Sequence, residues 1–138
     1  TWHKARRHSL RDVEIYQMLA NDIKSGRNEY VDSKSLSDLY EEKVGAKSPI
    51  HRYHVLRADE PSTTIISHLD RDGNRFIHYD PEQGRDITPR EAARIQSFDD
   101  DFDFIGNQTD TYIMIGNAVP PLLAKCVGLA VSEVLDIL

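Results

Sequence analysis

The chain has 138 residues, with 39% hydrophobic and 29% charged, and its 17 Lys+Arg against 23 Asp+Glu leave a formal charge of -6. That length allows one ordinary domain with a real core, and the composition is that of a globular chain, not a disordered or membrane one. Net acidity excludes a uniformly basic nucleic-acid coat, though not a local basic patch; the single cysteine excludes an internal disulfide and fits a reducing compartment.

In chain order, Trp2 to Arg11 carries Lys4, Arg6, Arg7 and Arg11 with two histidines and no acid. Ser9 is placed to cap a helix running to about Lys24, with Asp12 at its positive end. Leu10, Val13, Tyr16, Leu19, Ala20 and Ile23 form its expected buried face, and Gly26 ends it. A shorter helix is expected from Ser33 to Val44, stopped near Gly45. A second basic stretch follows, with Lys43, Lys47, Arg52, His54 and Arg57. Ser62 to Leu69 and Arg75 to Tyr79 read as two strands about the turn Asp70-Arg71-Asp72-Gly73-Asn74, a hairpin.

Thr88-Pro89-Arg90-Glu91 reads as a capping box with proline at the first helical position. That helix should reach about Ser97, where the acidic run Asp99-Asp100-Asp101 turns the chain. Tyr112-Ile113-Met114-Ile115 looks like a strand. Gly116 to Pro121 opens a last helix that is apolar almost all round, so it wants neighbours on several sides. The longest uncharged run, 111–124, is broken by Gly116, Asn117, Pro120 and Pro121, and is not read as a membrane span. There is no secretory signal. Thr1 without an initiator Met, and Leu138 inside an apolar pattern, make both ends look cut. The expected fold class is α+β: a small antiparallel sheet with flanking helices and a C-terminal apolar helix.

Two segments carry a resemblance. Arg85-Asp86-Ile87-Thr88-Pro89-Arg90-Glu91-Ala92-Ala93-Arg94-Ile95-Gln96-Ser97-Phe98 and Tyr112-Ile113-Met114-Ile115-Gly116-Asn117-Ala118-Val119-Pro120-Pro121-Leu122-Leu123-Ala124 resemble the ninth and tenth motifs of DNA (cytosine-5-)-methyltransferases, in the family's order. Asp59 to His68, Asp72 to His78, and Trp2 to Arg6 with Asp12 and Tyr16, are similar to parts of that family's target-recognition region. One departure is Phe98-Asp99-Asp100, where the family usually has Phe-Pro-Asp.

The resemblance implies residues 1–84 as a partial target-recognition region and 85–138 as the ninth motif, a connecting loop and the tenth-motif helix. That helix would return to a Rossmann-like catalytic domain not contained in this chain. The implied reaction is methyl transfer from S-adenosylmethionine to C5 of a flipped cytosine in DNA, in the cytoplasm of a bacterium with a restriction–modification or similar system.

No catalytic residue is expected here. The family's nucleophilic cysteine follows a proline, whereas Cys126 follows Lys125 inside the apolar helix and reads as structural. Asn117, Ala118 and Val119 are the implied cofactor-facing residues, at a turn whose backbone N–H groups would suit an anionic group. Arg85, Arg90, Glu91 and Arg94 are implied to organise the recognition region, with Arg85 or Arg94 buried against carboxylates or carbonyls. Lys4, Arg6, Arg7, Arg52 and Arg57 are candidates for double-stranded DNA phosphates.

This portion alone is expected to be inactive and to bind no cofactor. Its partners would be DNA, the missing catalytic domain and, through the last helix, itself or its own recognition region. No metal is expected, since His51, His54, His68 and His78 lack a ligand pattern. The rival reading is a non-catalytic DNA- or protein-binding module on the same scaffold.

Overall fold

The computed structural model describes residues 1–47 and 53–137, with side chains of the last helix described to Leu135. It contains five α-helices among the described residues: α1 (Leu10–Lys24), α2 (Ser33–Val44), α3 (Pro89–Ile95), α4 (Gln108–Asn117) and α5 (Pro121–Ile137). The chain divides into two units. One comprises residues 4–63 and 71–87; the other comprises 1–3, 64–70 and 88–138.

In the first unit, α1 starts where Ser9 Oγ accepts the Asp12 N–H, and α2 starts where Asp32 accepts the N–H groups of Lys34 and Ser35. These side chains satisfy donors that a helix start leaves unpaired. Ile15, Tyr16, Leu19 and Ala20 of α1 join Leu36, Leu39, Tyr53, Val55 and Ile77 in one apolar core. The expected α1 face shifts by part of a turn. Leu10 is 84% exposed and Ile15 is buried in its place. Asp22 is also buried there, and its two oxygens accept the N–H groups of Glu29 and Tyr30 at 3.1 and 3.0 Å. That fixes the turn leaving α1. Burial pushes the Tyr53 phenol up to about 12 and raises Tyr16 further, so both remain hydrogen-bond donors. Tyr16 donates to Asn74 Oδ1.

The expected antiparallel sheet is absent among the described residues. Strand pairing there amounts to isolated bridges, Val55 parallel to Ile77 and Ile77 antiparallel to Asp86. The chain is therefore helical with irregular connections, not α+β. Backbone partners explain the correction. The Arg75–Tyr79 segment, which begins in a short 3-10 turn at Gly73–Arg75, does not pair with Ser62–Leu69. Ile77 donates to His54 O and accepts from Leu56 N–H, while His78 donates to Arg85 O. Ser62–Leu69 forms no ladder and ends in a turn in which Leu69 N–H donates to Ile66 O. The second expected strand, Tyr112–Ile115, is the middle of α4.

In the second unit, Thr88 and Glu91 form the expected reciprocal capping box, with Pro89 in the first turn of α3. Asn107 and Asp110 form another at the start of α4. Leu69, Ala92, Ala93, Phe104, Tyr112 and Ile115 are buried. Every described residue of α5 is exposed. Cys126 on this helix is exposed. Against the expectation that no apolar stretch is long enough to span a bilayer, one candidate passes by length and composition alone. Gln108–Leu135 is 28 residues with a mean hydropathy of 1.6 over its best window. It is two helices, however, and α5 alone, 17 residues, is about 25 Å long, short of a ~30 Å hydrocarbon core.

A pH dependence follows from the α2 cap. Hydrogen bonds from the Ser35 backbone first, then its side chain and the Lys34 backbone, hold the Asp32 carboxyl below its ordinary value of 3.8. A depressed carboxyl stabilises the fold above its unfolded value and stops doing so as pH falls through the lower folded value. Acid titration followed by helical circular dichroism should therefore show less loss on acidification below about pH 4 in Asp32→Ala than in wild type, from a lower starting stability.

Candidate functional site

The helix α3 is seven residues long. Arg90, in its first turn, is 2% exposed. Its guanidinium donates to Phe102 O at 2.9 Å, Asp99 O at 3.2 Å and Thr1 O at 3.4 Å, and lies 5.7 Å from the centre of the Phe104 ring. Its backbone N–H donates to Trp2 O. A planar fork with five donors suits this task of gathering carbonyls from separate segments. Phe98, Phe102 and Phe104 pack as a ring cluster beside it.

Arg94, one turn later, has a different environment. It is exposed and makes a two-pronged pair with Asp100 at 2.7 and 2.9 Å, which holds the Asp100 carboxyl below its usual range. Of the two arginines expected to be buried, Arg94 is thus exposed. Arg90 is the buried arginine, while Arg85 is half-buried and donates to Asp86 O and Gln83 Oε1. Glu91 serves the cap, accepting the Thr88 N–H at 2.7 Å.

The expected strand-to-helix turn is a helix-to-helix break. Asn117 ends α4, Ala118 is extended at φ -76 and ψ 147, and α5 begins at Pro121. Asn117 and Val119 are exposed and Ala118 is half-buried. Gln96 Nε2 donates to Ile115 O at 3.0 Å and Ala118 O at 3.4 Å. Leu122 N–H donates to Ser97 Oγ at 3.1 Å. A Cβ on Gly116 would sit 2.6 Å from Ile66 O, so only glycine lets α4 approach that backbone. An anion site made of backbone N–H groups at this break is weakened, because Pro120 and Pro121 have none and Leu122's is committed.

Whether the ledge 117–119 fits an amino-acid-bearing cofactor can be judged from its shape. It offers one amide and an apolar wall, which suit one edge of a site. Two clefts among the described residues belong to the other unit. One is lined by Leu19, Tyr30, Leu36, Tyr53 and Val55, the other by Ile23, Leu56, Arg57, Ala58 and Tyr79, and neither includes residues 117–119.

In the α1 unit, the N-terminal arm closes on a carboxylate that sequence reasoning missed. Asp86 is fully buried. Arg6 Nε lies 2.6 Å from its Oδ2, and His8 Nε2 lies 2.9 Å from its Oδ1. Arg6, a candidate phosphate contact, is thereby directed inward at 21% side-chain exposure. Lys4 and Arg7 are exposed, and Arg57 is exposed with Glu60 3.7 Å away. Arg52 and His51 lie outside the described residues. A usable signal for Asp86 was its place beside Arg85 at the head of the ninth-motif segment, combined with the acid-free basic arm.

Residues 2–133 match the family model for C-5 cytosine-specific DNA methylases. The chain belongs to that family. It is 38% identical over 99% of its length to type II methyltransferase M.Bpa9945I of Bacillus paralicheniformis, covering 30% of that protein. It is 33% identical over 95% of its length to type II methyltransferase M1.HphI of Haemophilus parahaemolyticus, covering 31% of it. A shorter stretch, 58% of the chain, is 49% identical to DNA (cytosine-5)-methyltransferase 1 of Mus musculus and covers 5% of that protein. The chain thus spans about a third or less of the methylases it matches. No solved structure matches it.

Proposed function

We propose that this chain is the recognition-and-closing C-terminal portion of a DNA (cytosine-5-)-methyltransferase of the restriction–modification type, working in the cytoplasm. The observation that carries the reading is the exposed apolar α5 on a chain that matches its methylase relatives along nearly its whole length while covering under a third of theirs. A helix with Leu122, Leu123, Val127, Leu129, Val131, Val134 and Leu135 all exposed leaves a large apolar surface that calls for cover. The remainder of the methylase is the cover proposed here.

In this reading residues 1–84 belong to the target-recognition region and 85–138 return the chain to the catalytic part. Lys4, Arg7 and Arg57 face phosphates, giving affinity and its salt dependence but no sequence choice. Arg6 shapes the arm that presents them. Arg90 fixes the loop after α3, and Glu91 fixes its start. Asn117, Ala118 and Val119 form one edge of the S-adenosylmethionine site. When bound, that cofactor supplies the methyl group for cytosine C5. Cys126 takes no part, since it sits mid-helix, preceded by Lys125.

The reading frame upstream of Thr1 tests this. It should encode, in frame, a glycine-rich cofactor loop and a Pro-Cys dipeptide; a start codon immediately before Thr1 with neither feature would favour a stand-alone binding module. Expressed by itself, the chain should also self-associate through α5. Light scattering should give a mass above the monomer for wild type and a monomer for the Leu129→Lys, Leu135→Lys double variant. A wild-type monomer would speak against the exposed helix as an adhesive surface.

A further inference from the structure

We propose that Gln96 and Ser97, at the C-terminal end of α3, are positioning residues that fix the α4–α5 break and thereby the ledge 117–119. The proposal rests on the reading of that ledge as the cofactor-facing edge. Because α5 is exposed along its described length, the contacts that set its direction come from its first turn. A helix end leaves carbonyls without intrahelical donors, and a single amide, Gln96 Nε2, serves two of them: Ile115 O inside α4 and Ala118 O beyond its end. Spanning the last turn and the capping residue with one rigid group fixes the dihedrals between them, those of Gly116, Asn117 and Ala118. The Ala118 N–H, donating to Ile115 O at 3.3 Å, closes the same small ring of contacts.

Ser97 holds the other side of the break. Its φ of 63 is left-handed, at the position just past a helix where glycine is usual. The α3 end has the matching pattern, with Ser97 N–H donating to Arg94 O and Phe98 N–H to Ala93 O. A serine kept in a conformation that glycine adopts without strain has a reason in its hydroxyl, which accepts the first available N–H of α5, that of Leu122. Adjacent residues of the ninth-motif helix thus grip both sides of the tenth-motif turn. Gln96 holds the proposed cofactor edge by the Ala118 carbonyl, and Ser97 holds the Leu122 N–H beyond it; each acts on the backbone of the break.

The test uses the chain as it stands. Cys126 is its single cysteine and is exposed on α5. With Thr109→Cys on the exposed side of α4, a spin-label pair reports the α4–α5 geometry by pulsed electron–electron resonance. In the Leu129→Lys, Leu135→Lys background, which keeps the labels on one chain, the expected result is one narrow distance distribution with wild-type Gln96 and Ser97, broadened in both Gln96→Leu and Ser97→Gly.

Ser97→Gly keeps the test clear of unfolding, because it relieves the left-handed φ while removing the acceptor. Its thermal stability should equal or exceed wild type even as the distribution broadens, a combination that a merely structural serine would not give. An unchanged distribution in Ser97→Gly, or a broad one already in the parent pair, overturns the proposal. In the complete methylase the same variants should raise KM for S-adenosylmethionine roughly tenfold with kcat little changed. Broadening without that rise would sustain the positioning role and sink the cofactor-edge reading instead.

Discussion

Replacing Arg90 with methionine should destabilise the chain by about 3–5 kcal/mol, among the largest effects of any single substitution. The side chain is buried and its guanidinium satisfies the carbonyls of Thr1, Asp99 and Phe102. Methionine fills the stem's volume but leaves those acceptors without their donor, and each hydrogen bond to a charged group is worth about 1.5–3 kcal/mol. Such a loss approaches the whole stability of an ordinary domain, so Arg90→Lys is the companion variant. A lysine keeps the charge but cannot span three carbonyls with a flat fork, and should fall between wild type and Arg90→Met. Arg94→Ala is the control. It removes an exposed pair with Asp100 and should leave the urea midpoint unmoved, since such pairs are screened by water and salt. Equal midpoints for Arg90→Met and wild type would remove Arg90 from the account.

Removing the carboxylate of Asp86 should cost about 3 kcal/mol or more. Arg6 and His8 are both held against it from the N-terminal arm, and Asp86→Ala strands these cationic and polar groups where water reaches them poorly. Asp86→Asn keeps an acceptor for His8 and should be the milder change. An independent route to the same break is Gly73→Ala. A Cβ at Gly73 would overlap Asp86 Oδ2, with the Arg6 guanidinium carbon 3.1 Å away. Alanine there should push the carboxylate off its partners. The decisive signature is non-additivity. Asp86→Ala and Arg6→Met combined should cost clearly less than the sum of the two, measured by urea denaturation as a double-mutant cycle. Additive costs would mean that the two side chains are merely neighbours.

What could be read in advance was local. Ser9 and the Thr88–Glu91 box mark helix starts through hydrogen bonds spanning three residues, and α1, α2 and α3 begin as expected; the Asp32 cap of α2 was not read. Tyr112–Ile115 was misassigned because β-branched and aromatic residues favour strands only weakly and by context. The stronger signal was upstream, in Asn107 and Asp110, which form a capping box of their own. The hairpin failed for a different reason. Isoleucine and threonine between turn residues do not specify a partner, and Ile77 finds His54, Leu56 and the 85–86 segment instead.

At the site, spacing put Arg90 and Arg94 on one helix face, and the expected burial fell on Arg85 or Arg94 instead of Arg90. The burial of Arg90 depended on Thr1, Asp99 and Phe102 converging from outside the helix. Asp86 was hidden likewise, since its partners lie 78 residues away or more. The exposure of Cys126 was missed because an apolar helix was assumed to be covered within the chain that carries it.

The central claim is that these residues serve DNA cytosine methylation only as part of a larger enzyme. Labelled methyl transfer from S-adenosylmethionine to double-stranded DNA tests it most directly, comparing protein made from the complete reading frame with residues 1–138 alone. The expected result is C5-methylated cytosine from the first and no incorporation from the second. Incorporation by residues 1–138 alone, or none by the folded complete protein, would contradict it.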